Sequence, residues 1–214
     1  MKEAYTQPMQ NAEIELKFPL SDPAAFQSLL PSLGFHLDTP RTFESNKLYD
    51  TPSRDLRAQR QLLRIRQYGD VHTLTHKRMA APDDPEHPSR YKIRIETETS
   101  VSDPVALGQV FEQLGYQPVF AYEKYRTEWS AFDPLTGSTP HLVIDETPIG
   151  NYAELEGPTT WIDRMLIDLG IDVATCLTDS YGKLFLDWKQ RTGSSAENLT
   201  FTEVSSSKVL EPVS

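Results

Sequence analysis

Charged and apolar residues alternate one for one in segment after segment of this chain. That pattern commits it to strands with one polar and one apolar face. In Glu13-Ile14-Glu15-Leu16-Lys17-Phe18-Pro19, the charged Glu13, Glu15 and Lys17 share a face and Ile14, Leu16 and Phe18 take the other. Leu63 and Ile65 alternate with Arg64 and Arg66. From Arg90 to Glu98 every even position is charged (Arg90, Lys92, Arg94, Glu96, Glu98), and Tyr91, Ile93 and Ile95 oppose them. Lys77 is in phase with Thr73 and Thr75, Lys124 and Arg126 bracket Tyr125, Asp145 follows Val143, and Glu154 and Glu156 bracket Leu155.

The pattern predicts strands at about 12–18, 42–50, 62–68, 71–78, 90–99, 119–132, 141–147 and 151–157. Helices are predicted from Ser21 or Asp22 to near Gly34, with Pro23 first, and from Ser102 or Asp103 to Gly115, with Pro104 first. The second would present Val105, Leu107, Val110, Phe111 and Leu114 as an apolar stripe. Trp161–Leu169 and Ser180–Trp188 read as further helices, Asp50-Thr51-Pro52 as a cap and turn, and Ala80–Ser89, with its prolines and acids, as an exposed loop. Residues 1–11 read as a flexible leader, 12–190 as one domain, and 191–214 as a flexible polar tail.

A net charge of −10 argues against a general nucleic-acid or anionic-membrane binder, but leaves room for a small anion in a local basic pocket. The single Cys176 excludes an internal disulfide and a thiolate-rich zinc site, which suits a reducing compartment. No apolar run is long enough to span a membrane and the start has no signal-peptide core, so the expected location is cytoplasmic. His36, His72, His76, His87 and His141 have no ligand spacing and read as surface or wall residues. Trp129, Trp161 and Trp188 read as packing groups.

Alternation of this kind fits an antiparallel sheet with one wet face. It also fits a closed barrel whose charged faces line the inside and whose apolar outer faces lie under helices. In the barrel, Lys17, Arg64, Arg66, Lys77, Arg94, Lys124 and Arg126 would face Glu13, Glu15, Glu96, Glu98, Asp145, Glu154 and Glu156. Such a lumen can offer cations to phosphate oxygens and carboxylates to a divalent metal.

These residues resemble the CYTH superfamily, or triphosphate tunnel metalloenzymes, which includes class IV adenylyl cyclases and thiamine triphosphatases. The resemblance rests on the Glu13-x-Glu15-x-Lys17 motif and on an ordered set after it. That set is Tyr49-Asp50-Thr51, Leu63-Arg64-Ile65-Arg66, Leu74-Thr75-His76-Lys77, Glu96 with Glu98, Glu123-Lys124-Tyr125-Arg126, Asp145, Gly150 to Glu156, and Ser180-Tyr181. It spans about residues 12–188. It implies an α+β fold, an eight-stranded antiparallel closed β-barrel or tunnel with a polar charged lumen and flanking helices. It also implies a Mg2+ or Mn2+ site at Glu13, Glu15, Asp145, Glu154 and Glu156. The triphosphate grip would be Lys17, Arg64, Arg66, Lys77, Lys124 and Arg126, with Arg94 as a further binding residue, and catalysis is expected from Glu13, Glu15 and the grip residues.

The implied substrate is inorganic triphosphate, thiamine triphosphate or ATP. Retention of both Arg64 and Arg66, and of both Glu154 and Glu156, resembles the triphosphatases, so hydrolysis is expected. The alternatives are a class IV adenylyl cyclase and a non-catalytic polyphosphate- or nucleotide-binding module. No Walker-type glycine loop is present. A monomer and a homodimer both remain open.

Overall fold

A computed structural model describes residues 12–79 and 91–208. The leader, the Ala80–Ser89 loop and residues 209–214 lie outside the described residues. The strands are β1 (Ala12–Leu20), β2 (His36–Asp50), β3 (Leu62–Tyr68), β4 (Val71–Met79), β5 (Lys92–Ser100), β6 (Gln117–Ser130), β7 (His141–Thr147) and β8 (Gly150–Glu156). They close, all antiparallel, into an eight-stranded barrel in the order β1-β5-β4-β3-β2-β6-β7-β8. Closure removes both sheet edges, so of the two arrangements open to the sequence the barrel is the one formed.

Helices flank the wall: α1 (Pro23–Leu29), the short α2 (Asp55–Ala58), α3 (Pro104–Gln113), α4 (Thr159–Asp168), α5 (Tyr181–Thr192) and α6 (Phe201–Lys208). Asp22 and Asp103 cap α1 and α3 by accepting backbone N–H bonds, and a proline opens each. This satisfies otherwise orphaned donors with residues already preset for a helix. Gly34, at φ +84°, ends the turn after α1 in a conformation that an L side chain resists.

The apolar core lies outside the barrel wall. Leu16, Phe18, Leu142, Ile144, Ala153 and Leu155 point away from the lumen and are buried under Phe26, Leu30, Trp161, Ile162 and Leu166 of α1, the turn after it and α4. A second cluster joins Tyr122 to Tyr181, Phe185 and Trp188 of α5. A barrel lined with charge therefore gains its hydrophobic stabilisation from the outer face, at about 25 cal/mol per Å2 buried.

Three expectations need correction. The apolar stripe of α3 is only partly used: Val105 and Leu114 are 70% and 67% exposed, and contact with the wall runs through Leu107 and Phe111. Gly108 lets the helix approach so closely that a Cβ there would sit 2.8 Å from the Tyr49 hydroxyl. Strand β2 begins at His36, not near residue 42. Pro40 falls among register shifts where no ladder bond is needed.

The polar segment after Thr192, expected as a tail, is built into the fold as far as Lys208. Leu199 pairs with β6 through bonds of 3.0 Å to the Ala121 carbonyl and 2.9 Å from the Glu123 N–H. The Glu123 carboxylate accepts from the Phe201 N–H at 3.0 Å, and Leu199 and Val204 are buried. A few anchors in a polar context hold the segment, and periodicity does not register them.

Candidate active site

Because side chains alternate along every strand, each charged run turns one whole face into the barrel. The resulting cavity is lined by Glu13, Glu15, Lys17, Arg64, Arg66, Lys77, Lys92, Arg94, Glu96, Glu98, Lys124, Arg126, Glu154 and Glu156. Every expected grip residue therefore faces one space. Asp145 is fully buried behind that lining.

One wall is a tight ion-pair network. The guanidinium of Arg126 forks onto Asp145, with Nε–Oδ1 and Nη2–Oδ2 both 2.7 Å, and reaches Glu154 at 3.1 Å. Lys124 donates to Asp145 at 2.8 Å, and Lys17 lies 2.8 Å from Glu154. The Tyr181 hydroxyl donates to Asp145 at 2.6 Å and lies 3.2 Å from Glu154, and its ring sits under the Lys17 ammonium at 3.9 Å. Burial opposes charge on Asp145 and Glu154, but Arg126 and Lys124 at the first, and Lys17, Arg126 and Lys124 at the second, outweigh it and hold both carboxyls below the usual range. The Tyr181 phenol is pushed well up by burial and by these two carboxylates. Asp145 and Glu154, expected as metal ligands, spend their oxygens on cations and thereby orient Lys17, Lys124 and Arg126.

Sequence reasoning missed the centre of the adjoining wall, Glu44. It is wholly buried, 2.7 Å from Arg66, 3.5 Å from Lys124 and 3.9 Å from Arg126, and accepts from Asn46 at 2.8 Å. Burial opposes its charge, but Lys124, Arg126, Arg66 and Arg64 outweigh it and keep the carboxylate ionised far into acid. Its only signal in the sequence is its phase with Asn46 inside a predicted strand.

The opposite wall holds a looser set. Lys77 bridges Glu13 at 2.6 Å and Glu96 at 2.7 Å, and Lys92 pairs with Glu15. Glu98 accepts from Thr75 at 2.8 Å, and Arg64 is held by Tyr122 and Thr75, both at 3.1 Å. Lys92 was in the charged register but not among the expected site residues. The Nε–H groups of Arg64, Arg66 and Arg94 are buried and find no acceptor among the described residues.

The register of β1 on β8 sets Glu15 directly opposite Glu156, with Glu13 on the same face. Burial first, and then the charges of Glu13 and Glu15, push the Glu156 carboxyl up to about 7. Like charges facing across a ladder are unfavourable, and a divalent cation relieves that crowding. The oxygen-only donor set Glu13, Glu15 and Glu156 thus fits Mg2+ or Mn2+. Among the described residues no three such side chains already converge at metal-binding geometry, since Glu13 is turned to Lys77 and Glu15 to Lys92. His76 bonds Gln61 at 2.9 Å, whereas His141 lines the cavity 3.9 Å from Asp38. No helix among the described residues is long and apolar enough to cross a membrane.

No curated protein matches the chain at a significant level. Solved structures share its fold. A candidate adenylate cyclase from Vibrio parahaemolyticus aligns with a TM-score of 0.63 and 19% identity over 81% of this chain and 97% of that one. A protein from Pyrococcus horikoshii OT3 aligns at 0.64 and 20% over 82% and 99%. A candidate adenylyl cyclase from Hippeastrum, described as revealing a dominant triphosphatase activity, aligns at 0.56 and 20% over 82% and 96%. The CYTH domain model matches residues 11–160, which contain the whole barrel from Ala12 to Glu156, and the chain therefore belongs to the CYTH family.

Proposed function

We propose that the protein is a divalent-metal-dependent enzyme acting on a triphosphate, and that it hydrolyses the phosphate chain. The observation that carries this reading is the trio of Nε–H groups on Arg64, Arg66 and Arg94 around one cavity, which find no acceptor among the described residues. A donor buried without an acceptor costs about 1–3 kcal/mol. Three of them, beside Lys17, Lys77, Lys124 and Arg126, suit a ligand rich in anionic oxygens. CYTH membership supports the triphosphate class, and the activity described for the Hippeastrum protein supports placing hydrolysis ahead of cyclisation.

Glu13, Glu15 and Glu156 would hold the metal, which when bound supplies charge neutralisation and orientation at the phosphate oxygens. Arg64, Arg66 and Arg94 grip the chain as forks, and Lys17, Lys77 and Lys124 act as point charges. Asp145 and Glu44 hold Arg126, Lys124 and Arg66 in place, so these donors are already aimed before substrate arrives. A water oxygen attacks the terminal phosphorus and the bridging P–O bond breaks. Phosphate and diphosphate leave, and the proton passes to solvent. Cyclisation would demand in addition a site that aligns a ribose hydroxyl with the α-phosphorus.

The test is a product assay with Mg2+ or Mn2+ on inorganic triphosphate, thiamine triphosphate and ATP. Phosphate and diphosphate from inorganic triphosphate, at a rate at least comparable to any ATP turnover, are expected. Cyclic AMP and intact diphosphate from ATP, with inorganic triphosphate uncleaved, would promote the class IV cyclase reading instead. Binding with no turnover of any of them would leave a polyphosphate- or nucleotide-binding module.

A further inference from the structure

We infer that the mouth of the barrel beside the β2–β3 connection is a second anion subsite, which seats the continuation of a linear polyphosphate longer than three units. The inference rests on the triphosphate reading of the lumen and names the substrate class that reading leaves open. The cavity is about 900 Å3, near the upper end of the range that encloses a drug-sized ligand and far more than a triphosphate fills.

Past the grip, the cavity is lined by Arg54, Arg57 and Arg60 from the β2–β3 connection and by Lys183 and Lys189 from α5. On a chain of net charge −10 this is a local concentration of the opposite sign. Arg57 and Arg60 form no side-chain hydrogen bond or ion pair among the described residues, and Arg54 reaches only the Val119 carbonyl, at 3.5 Å. Acids share the mouth: Asp187 pairs with Lys183, Asp50 and Asp55 lie on the connection and Glu197 on the rim, yet among the described residues none of them bonds the Arg57 or Arg60 guanidinium.

The backbone of the connection is held in a costly shape. Arg54 and Arg60 have φ of +65° and +56°, the only non-glycine residues with positive φ among those described. A left-handed conformation costs a non-glycine residue roughly 1–2 kcal/mol. The buried Asp50 carboxylate fixes the loop by accepting the N–H groups of Thr51, Leu56 and Arg57 at 2.8, 2.9 and 3.0 Å. Strain retained at two arginines that frame a cavity points to a ligand clamp.

The same mouth contains aromatic residues, which raises a nucleoside as the rival occupant. Their faces are already spent. Phe120 stacks on Tyr122 and packs on Phe185, and Phe185 stacks on Trp188 at 5.9 Å and 16° and is itself buried. Exposed Leu186 and Glu197 share the rim with the cations, but no aromatic face there is free for a base, so the geometry favours more phosphate over a stacked base.

The experiment is calorimetric titration of the full chain, wild type and R54N/R57Q/R60N, with tripolyphosphate, linear tetra- and hexapolyphosphate and ATP. Asparagine tolerates the left-handed backbone at both ends of the connection, and R57Q alone, at a helical position, guards against misfolding. Wild type should bind hexapolyphosphate at least about tenfold more tightly than tripolyphosphate. The triple variant should lose that gain while its tripolyphosphate affinity stays within about threefold of wild type, and R57Q should lose part of it. No gain in the wild type, or equal losses for every ligand in the variant, would overturn the subsite. An arginine-dependent gain for ATP alone would overturn it in favour of a nucleoside. Failure of wild type to bind tripolyphosphate at all would instead overturn the reading of the lumen, and this proposal with it.

Discussion

Glu44→Gln offers the sharpest test of how the lumen is held together. The substitution keeps volume and one acceptor but removes the charge that Arg66, Lys124 and Arg126 share at 2.7, 3.5 and 3.9 Å. At an effective dielectric of about 20 the gross attractions are roughly 6, 5 and 4 kcal/mol. Most of that sum offsets the cost of burying the carboxylate, and breaking a buried pair of this kind typically costs about 3–5 kcal/mol net. For a chain of this length each kcal/mol lowers Tm by about 2–4 °C, so the ligand-free variant should melt roughly 6–20 °C below wild type. The carboxyl pKa is depressed in the folded state, so its stabilisation is present above the unfolded value of 4.5 and is lost as pH falls into the acid range. The difference in Tm should therefore be largest near neutrality and shrink below about pH 4. Tripolyphosphate supplies the missing negative charge to the same cations, so it should raise the Tm of the variant more than that of wild type. Thermal melts by circular dichroism, with and without tripolyphosphate, read both effects. Equal melting of the two ligand-free proteins, or equal stabilisation by ligand, would refute the claim that Glu44 and the substrate share one set of cations.

Glu13→Gln and Glu15→Gln should each abolish metal-dependent turnover and leave the fold intact, since each removes an anionic oxygen with little change in volume. Wild-type rates at limiting Mg2+ would remove these residues from the metal set. Arg66→Ala should weaken inorganic triphosphate binding by about 2–4 kcal/mol, roughly 30- to 1000-fold, and Arg66→Lys should restore only part of it. Near-normal affinity of the alanine variant would put Arg66 outside the grip. Leu199→Ala should cost about 2–5 kcal/mol in denaturant unfolding, because Leu199 is fully buried and its backbone extends β6. A loss under 1 kcal/mol would mean that the segment after Thr192 contributes little to the fold.

The strands and their polar faces were legible because one rule, the two-residue period, acts on every strand at once; that period fits an open sheet as well as a barrel, and closure was what the family resemblance implied. Each charged residue the period assigned to the polar face of β1, β3, β4, β5, β6 and β8 lines the cavity from Glu13 to Glu156, Arg90 lying outside the described residues. The roles within the lumen were less legible, because they depend on which strands become neighbours. Asp145 reads from sequence as one more carboxylate beside Glu154. Only the pairing of Arg126 with Asp145 across β6 and β7 turns it into the residue that aims the arginine. Glu44 is similar: its neighbours Arg66 and Lys124 come from β3 and β6, either side of β2 in space and far apart in sequence. Tyr181 carries no strand period at all, and reaches Asp145 only because α5 folds back over the barrel.

The ion pairs of the lumen also indicate how metal and triphosphate binding are linked. Glu13 is held by Lys77, and Glu15 by Lys92. In the proposed site these carboxylates belong to the metal and Lys77 belongs to the phosphate. Neither ligand can therefore be bound without breaking a pair that the other ligand also needs broken. Triphosphate that draws Lys77 away leaves Glu13 uncompensated and more attractive to a cation, and occupation of the carboxylates frees the ammonium for phosphate. Linkage makes the effect reciprocal, with a coupling typically of about 1–3 kcal/mol, or 5- to 150-fold in each affinity. Lys77→Met should weaken triphosphate binding yet raise metal affinity in the absence of triphosphate, because Glu13 loses its internal partner. Titration of Mn2+ by electron paramagnetic resonance, with and without tripolyphosphate, measures both quantities without any turnover. Independent affinities in the wild type, or unchanged Mn2+ binding in Lys77→Met, would show that these pairs are fixed parts of the wall and not places held for the ligands.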